Sequence, residues 1–145
     1  VFFADSFLTP FTAFLTTLGV VIAAWGGVML ADIALRRNDY DEPSLFTPSG
    51  RYGSVNWGAV ASLIVGSLVG WGLVVNASAS WLSWQGYLLG PLGGRDGDWA
   101  GANIGILLAM VVGFVGYWVT SAGRVRAQEK LPSRTYAEGA GEDEQ

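Results

Sequence analysis

Residues 11–31, FTAFLTTLGVVIAAWGGVMLA, form an uncharged run of 21 residues set between Pro10 and Asp32. Wound as an α-helix at 1.5 Å per residue, the run reaches about 30 Å, the thickness of a bilayer's hydrocarbon layer. A helix satisfies all its backbone donors and acceptors internally, as hydrocarbon requires. The stretch is therefore read as a membrane span covering about 10–35, with Asp32 in its last turns. Pro10 suits its start, where a missing N–H is no loss.

Two further runs have the same character. Residues 58–75 carry no charge and follow Trp57, whose indole suits the headgroup level, so a second span is expected over 57–76. Residues 99–123 are a third uncharged run, ending in Tyr117, Trp118 and then Arg124 and Arg126. The fold class expected is an all-α membrane protein with three transmembrane helices. Composition agrees, with 51% hydrophobic and only 14% charged residues in 145.

Small residues recur every fourth position in each span: Gly19, Ala23, Gly27 and Ala31 in the first; Gly58, Ser62, Gly66 and Gly70 in the second; Gly101, Gly105, Ala109 and Gly113 in the third. Such positions share one helix face and let a neighbouring backbone come close, so the three spans are expected to pack as a bundle. Each ridge taken singly is also what a glycine-rich membrane composition would give.

Lys and Arg are retained on the cytoplasmic side of short connections. Arg36, Arg37 and Arg51 follow the first span, and Arg124, Arg126, Lys130 and Arg134 follow the third, whereas the connection between the second and third holds only Arg95. The N-terminal end is thus expected outside and the C-terminal end inside. Within the outer connection, Trp81, Trp84 and Tyr87 alternate with Leu82, Leu88 and Leu89 before Gly90 and Pro91, a pattern read as a short interfacial helix over 80–90. Residues 128–145, polar and rich in Glu, Asp and Gly, are read as a disordered tail.

Little points to chemistry. The chain has no Cys and no His, which removes thiolate reactions and the commonest metal ligand, and it shows no phosphate loop, nucleophile elbow or basic groove. No enzyme activity, cofactor, metal site or nucleic-acid partner is expected. Gly93-Gly94-Arg95-Asp96-Gly97-Asp98 lacks the ligand alternation and closing Glu of a calcium loop and reads as a solvated turn. Asp39, Asp41 and Glu42 read as a solvated loop. Asp32 alone is ionisable within a span, which marks it for function by default. Its position near the cytoplasmic end, with Arg36 four residues on, argues the other way and favours an ion-paired anchor at the interface over a coupled or gating charge.

The order Gly27-Val28-Met29-Leu30-Ala31-Asp32, Leu35-Arg36-Arg37, Tyr40, Gly50-Arg51-Tyr52 and Val55-Asn56-Trp57 resembles the nucleobase:cation symporter family of cytosine, purine, allantoin and hydantoin permeases, chiefly over residues 15–71. The resemblance implies a twelve-helix, LeuT-like inverted-repeat transporter of which this chain is the C-terminal fragment, helices ten to twelve. It implies a cell-membrane location, with the tenth helix running inward and a cytoplasmic C-terminus. Gly27, Asp32, Arg36, Arg37, Asn56 and Trp57 carry the family signature. Helices one, three, six and eight of such transporters hold the substrate, and one and eight hold sodium, so no residue of those sites can be assigned here. The outer half of helix ten acts as an extracellular gate in the family, which points to Leu15, Thr16, Leu18 and Gly19, with Gly19 offering the bend.

Two functions follow. One is cation-coupled transport of a nucleobase or related heterocycle, with the bilayer, the remaining helices, the substrate and a proton or sodium ion as partners. The other is a small three-span structural or assembly subunit of a membrane complex. A first residue other than Met, and only about ten residues before the first span, favour the former.

Overall fold

The computed structural model describes residues 2–36, 55–76, 79–97 and 99–130. The signature residue Arg37, the charged loop with Asp39, Asp41 and Glu42, and the tail from 131 lie outside the described residues. Among those described there is no strand, and three helices form the body: α1 (Phe2–Leu35), α2 (Trp57–Gly72) and α3 (Ile104–Glu129). Trimmed to Phe7–Leu35 and Ile104–Gln128, α1 and α3 are long and apolar enough to cross a membrane.

The helices run up, down and up. The C-terminal half of α1, the N-terminus of α2 and the C-terminal half of α3 meet at one end around Val28, Ala31, Leu35, Tyr117 and Val125. At the other end Val20, Ala24, Val74 and Ala109 close together. These are called the inner and outer ends, after the orientation expected from Lys and Arg.

Small residues make the close approach possible. A Cβ on Gly27 would collide with the Met110 carbonyl of α3. One on Gly66 would lie 2.9 Å from the Ala109 carbonyl and 3.1 Å from Ala24 Cβ, and one on Gly105 or Gly113 would strike the backbone of α2 or α1. Eight of the expected ridge positions are thus buried at the seam: Gly27, Ala31, Ser62, Gly66, Gly70, Gly105, Ala109 and Gly113. Gly101 does not, because it falls in a 3-10 turn (Ala100–Ala102) ahead of α3 and meets nothing. Gly19 does not either, since an added Cβ there would touch only Ile106 Cδ1 at 3.9 Å.

The helix ends depart from the sequence reading in four places. Helix α1 begins at Phe2, so Pro10 lies inside it rather than at its start. There, beyond the first turn, the ring leaves one backbone carbonyl of the preceding turn without its N–H and crowds it, which weakens the helix locally. Helix α2 stops at Gly72 instead of 76, and the backbone donors of Gly86 and Leu88 take over its last carbonyls. Helix α3 starts five residues later than 99, after Asn103 in the left-handed region (φ 49°), which Asn accepts more readily than most residues. It also continues to Glu129, past the expected start of the tail, as Val125 and Gln128 stay buried on one face.

The segment expected as a short interfacial helix is not one. Two 3-10 turns, Ser80–Leu82 and Gly90–Leu92, are joined through Gly86 at φ 80°, which ends any helical continuation. Leu82, Gln85 and Leu89 point inward and are fully buried, while Trp81, Trp84 and Tyr87 face out. The segment forms a cap over the outer end. Its Gly86 N–H donates to Trp71 O (2.9 Å) and its Leu88 N–H to Gly72 O (2.8 Å), satisfying carbonyls that the end of α2 leaves open.

Candidate functional site

Polar groups gather at two places, one at each end of the bundle. At the inner end Asp32 is one helical turn before Arg36, and the two form a two-pronged ion pair: Arg36 Nε to Asp32 Oδ2 at 2.8 Å and Nη2 to Oδ1 at 3.1 Å. Both side chains are largely withdrawn from solvent. The Tyr117 hydroxyl of α3 donates to Asp32 Oδ1. Asn56 Nδ2 donates to the same Tyr117 oxygen at 3.2 Å, while Asn56 Oδ1 caps α2 by accepting the Ala59 N–H at 3.3 Å. One chain of hydrogen bonds therefore joins the end of α1, the side of α3 and the first turn of α2.

This chain brings together three of the signature residues, Asp32, Arg36 and Asn56. Gly27 lies a turn and a half away in the α1–α3 seam, and Trp57 projects outward at the start of α2, 74% exposed. Tyr117, which links the others, was not singled out from the sequence as a partner of Asp32; a hydroxyl-bearing aromatic inside an apolar run was the available signal.

At the outer end the residues assigned to a gate occupy the flank of α1 away from the seam. Leu15 and Leu18 are exposed, and Thr16 and Gly19 are half-buried. Thr16 and Thr17 turn their hydroxyls back onto Thr12 O and Ala13 O, each at 3.0 Å. Paired back-bonding of this kind loosens and bends helices.

The seam side of the same turns is tied to α2 and the cap. Trp71 Nε1 donates to Thr17 O at 3.1 Å, Asn76 Nδ2 to Ala13 O at 2.9 Å, and Gln85 Nε2 to Thr17 Oγ1 at 3.0 Å. Trp84 packs edge-on against Trp71, with ring centroids 5.6 Å apart. Ala79 and Leu82 of the cap cover Ala13. Trp71, Asn76 and Gln85 were missed in the sequence, where they stand as an ordinary span residue and two polar residues in a connection. Among the described residues no group of acidic side chains could hold a metal ion.

An all-α bundle with two helices long and apolar enough to cross a membrane and a third, shorter apolar helix, tied by buried polar groups at either end, fits part of a multi-span membrane protein. The family model for a permease for cytosine/purines, uracil, thiamine and allantoin matches residues 3–90, more than half of the chain, and the chain belongs to that family. The matched stretch contains α1, α2 and most of the cap. The family consists of transporters and not of enzymes. No curated protein and no solved structure matches the chain.

Proposed function

We propose that this chain works within a cation-coupled transporter of a nucleobase or related heterocycle, supplying a gate helix, α1, and two flanking helices. Membership of the permease family carries the proposal. The remaining helices of the transporter would cover part of the exposed apolar surface, and lipid the rest. In this reading the outer end faces the extracellular side and the inner end the cytoplasm, which the Lys and Arg distribution supports.

The upper part of α1 is the gate and its lower part is fixed. Three features support this division. The lower part has close backbone packing at Gly27, where a side chain cannot be admitted. The upper part holds Pro10 and the back-bonded Thr16 and Thr17, all of which weaken a helix. Gly19 stands between them at a position where packing does not demand glycine, so its lower helix propensity is available for bending.

Asp32 acts as an anchor and not as a coupling charge: Arg36 and Tyr117 already engage it, and Asn56 joins through the Tyr117 hydroxyl, in a network that unites three helices. The test is uptake of labelled cytosine, uracil and allantoin by the full-length protein in cells lacking their own carriers. Uptake of one of them that falls when sodium is replaced, or when the proton gradient is collapsed, is expected. Absence of both uptake and binding for all three would overturn the proposal.

A further inference from the structure

We propose that the exit of α2 and the cap latch the outer half of α1 through Trp71, Asn76 and Gln85, so that outward opening has to break these contacts together. The inference rests on the reading of α1 as a gate. Ala13 O and Thr17 O lie one turn apart on α1 and, as helix carbonyls, also serve the helix's own ladder. The Trp71 donor therefore takes the second lone pair of Thr17 O, and at Ala13 O the Asn76 amide shares the second lone pair with the Thr17 hydroxyl, so both donors can leave without unwinding α1. Gln85 reaches the same turn through the Thr17 hydroxyl, which itself donates to Ala13 O. Ala79 and Leu82 seat on Ala13 between these bonds.

The latch is poised for release. Gln85 is 1% exposed, and among the described residues its Oε1 has no hydrogen-bond partner. Turning the amide over does not help, because an NH2 group would then be left in its place. A desolvated, unpaired carbonyl is unfavourable in the closed arrangement and would be hydrated once the cap lifts. That offsets part of what the three bonds contribute. The contacts thus hold α1 without locking it.

The test uses spin labels at Phe11→Cys on α1 and Leu92→Cys on the cap, in full-length protein otherwise free of cysteine. Distance distributions are compared for the parent, for Trp71→Phe with Asn76→Ala, and for Tyr87→Phe. The last variant removes a bond from the cap to Leu68 O of α2 and leaves α1 untouched. Each sample is measured alone and with cytosine, uracil or allantoin. A rise of about tenfold in the ratio of long to short distances in the double variant, without change in Tyr87→Phe, supports the latch. Two substrate-dependent distances in the parent, with populations unaltered in the double variant, overturn the latch and leave the gate standing. An equal shift in Tyr87→Phe also overturns it, since general loosening of the cap would then suffice. One unchanged distance in every sample overturns the latch and the gate together.

Discussion

Asp32 and Tyr117, 85 positions apart in the chain, are joined by a hydrogen bond from the phenol to the carboxylate. The phenol in turn accepts from Asn56, the cap of α2, so a single hydroxyl connects all three helices. Tyr117 is 2% exposed, and the network therefore lies inside the bundle rather than on its surface. Removing that hydroxyl in Tyr117→Phe should lower stability by about 1.5–3 kcal/mol, the range for a hydrogen bond to a charged group. The measurement is the Tm of purified full-length protein. An unchanged Tm would show that the three helices hold together without the network.

Asp32→Asn should reduce expression and Tm more than it changes substrate affinity, since the carboxylate that both Arg36 and Tyr117 address is lost. Breaking a withdrawn ion pair from one side is costly because its partner keeps its charge. A fully stable variant that had lost coupling to the cation would assign Asp32 to transport instead.

The glycines of the seam should separate from those outside it. Gly27→Ala places a methyl group against the Met110 carbonyl and should destabilise by about 1–3 kcal/mol, as overpacking does. Gly123→Ala, also helical but with nothing within 4 Å, should be neutral or stabilising by up to about 1 kcal/mol. Equal Tm values for the two would mean that the bundle yields freely at Gly27.

Orientation is checked with single cysteines at Gly94, in the outer connection, and at Arg126, in the last turn of α3. An impermeant maleimide added to sealed cells should label only the first. Labelling at Arg126 would reverse the assignment of the two ends.

The three apolar helices could be read from the sequence because absence of charge over 18 or more residues is a property of composition, and composition needs no partner. The Asp32–Arg36 pair was legible for a related reason, as spacing within one helix fixes who can meet whom. The links between segments were not. Nothing near Tyr117 announces Asp32, and nothing near Gln85 announces Thr17, because those meetings depend on how the helices stack. The end of α2 was hidden for the same reason. The run through Gly72 to Val75 stays apolar, and the helix stops there only because Gly86 and Leu88 return from the cap to take its carbonyls. The cap itself has the composition of an interfacial helix, yet Gly86 in the left-handed region turns Gln85 and Leu89 inward.

Gly19 should prove to be a hinge. Outward closure requires the part of α1 above it to tilt while Gly27 and Ala31 stay fixed in the seam. Glycine at this site lowers helix propensity by about 1 kcal/mol relative to Ala. Packing within the bundle gives no reason for it, because an added methyl would meet only Ile106 Cδ1, at ordinary contact distance. Gly19→Ala therefore stiffens α1 without disturbing its neighbours. Such a change should slow transport while equilibrium binding on the other helices survives. Gly66 cannot serve as the comparison, since a side chain there would press on Ala109 and Ala24 and disrupt the seam itself. Gly26→Ala is the better one, as it adds the same methyl to the same helix two turns lower, with nothing within 4 Å. Paired uptake and binding of a nucleobase by the two full-length variants decides the matter. Uptake should fall several-fold in Gly19→Ala alone. Unchanged uptake, or an equal loss in Gly26→Ala, would leave the bend to Pro10, Thr16 and Thr17 and remove Gly19 from the gate.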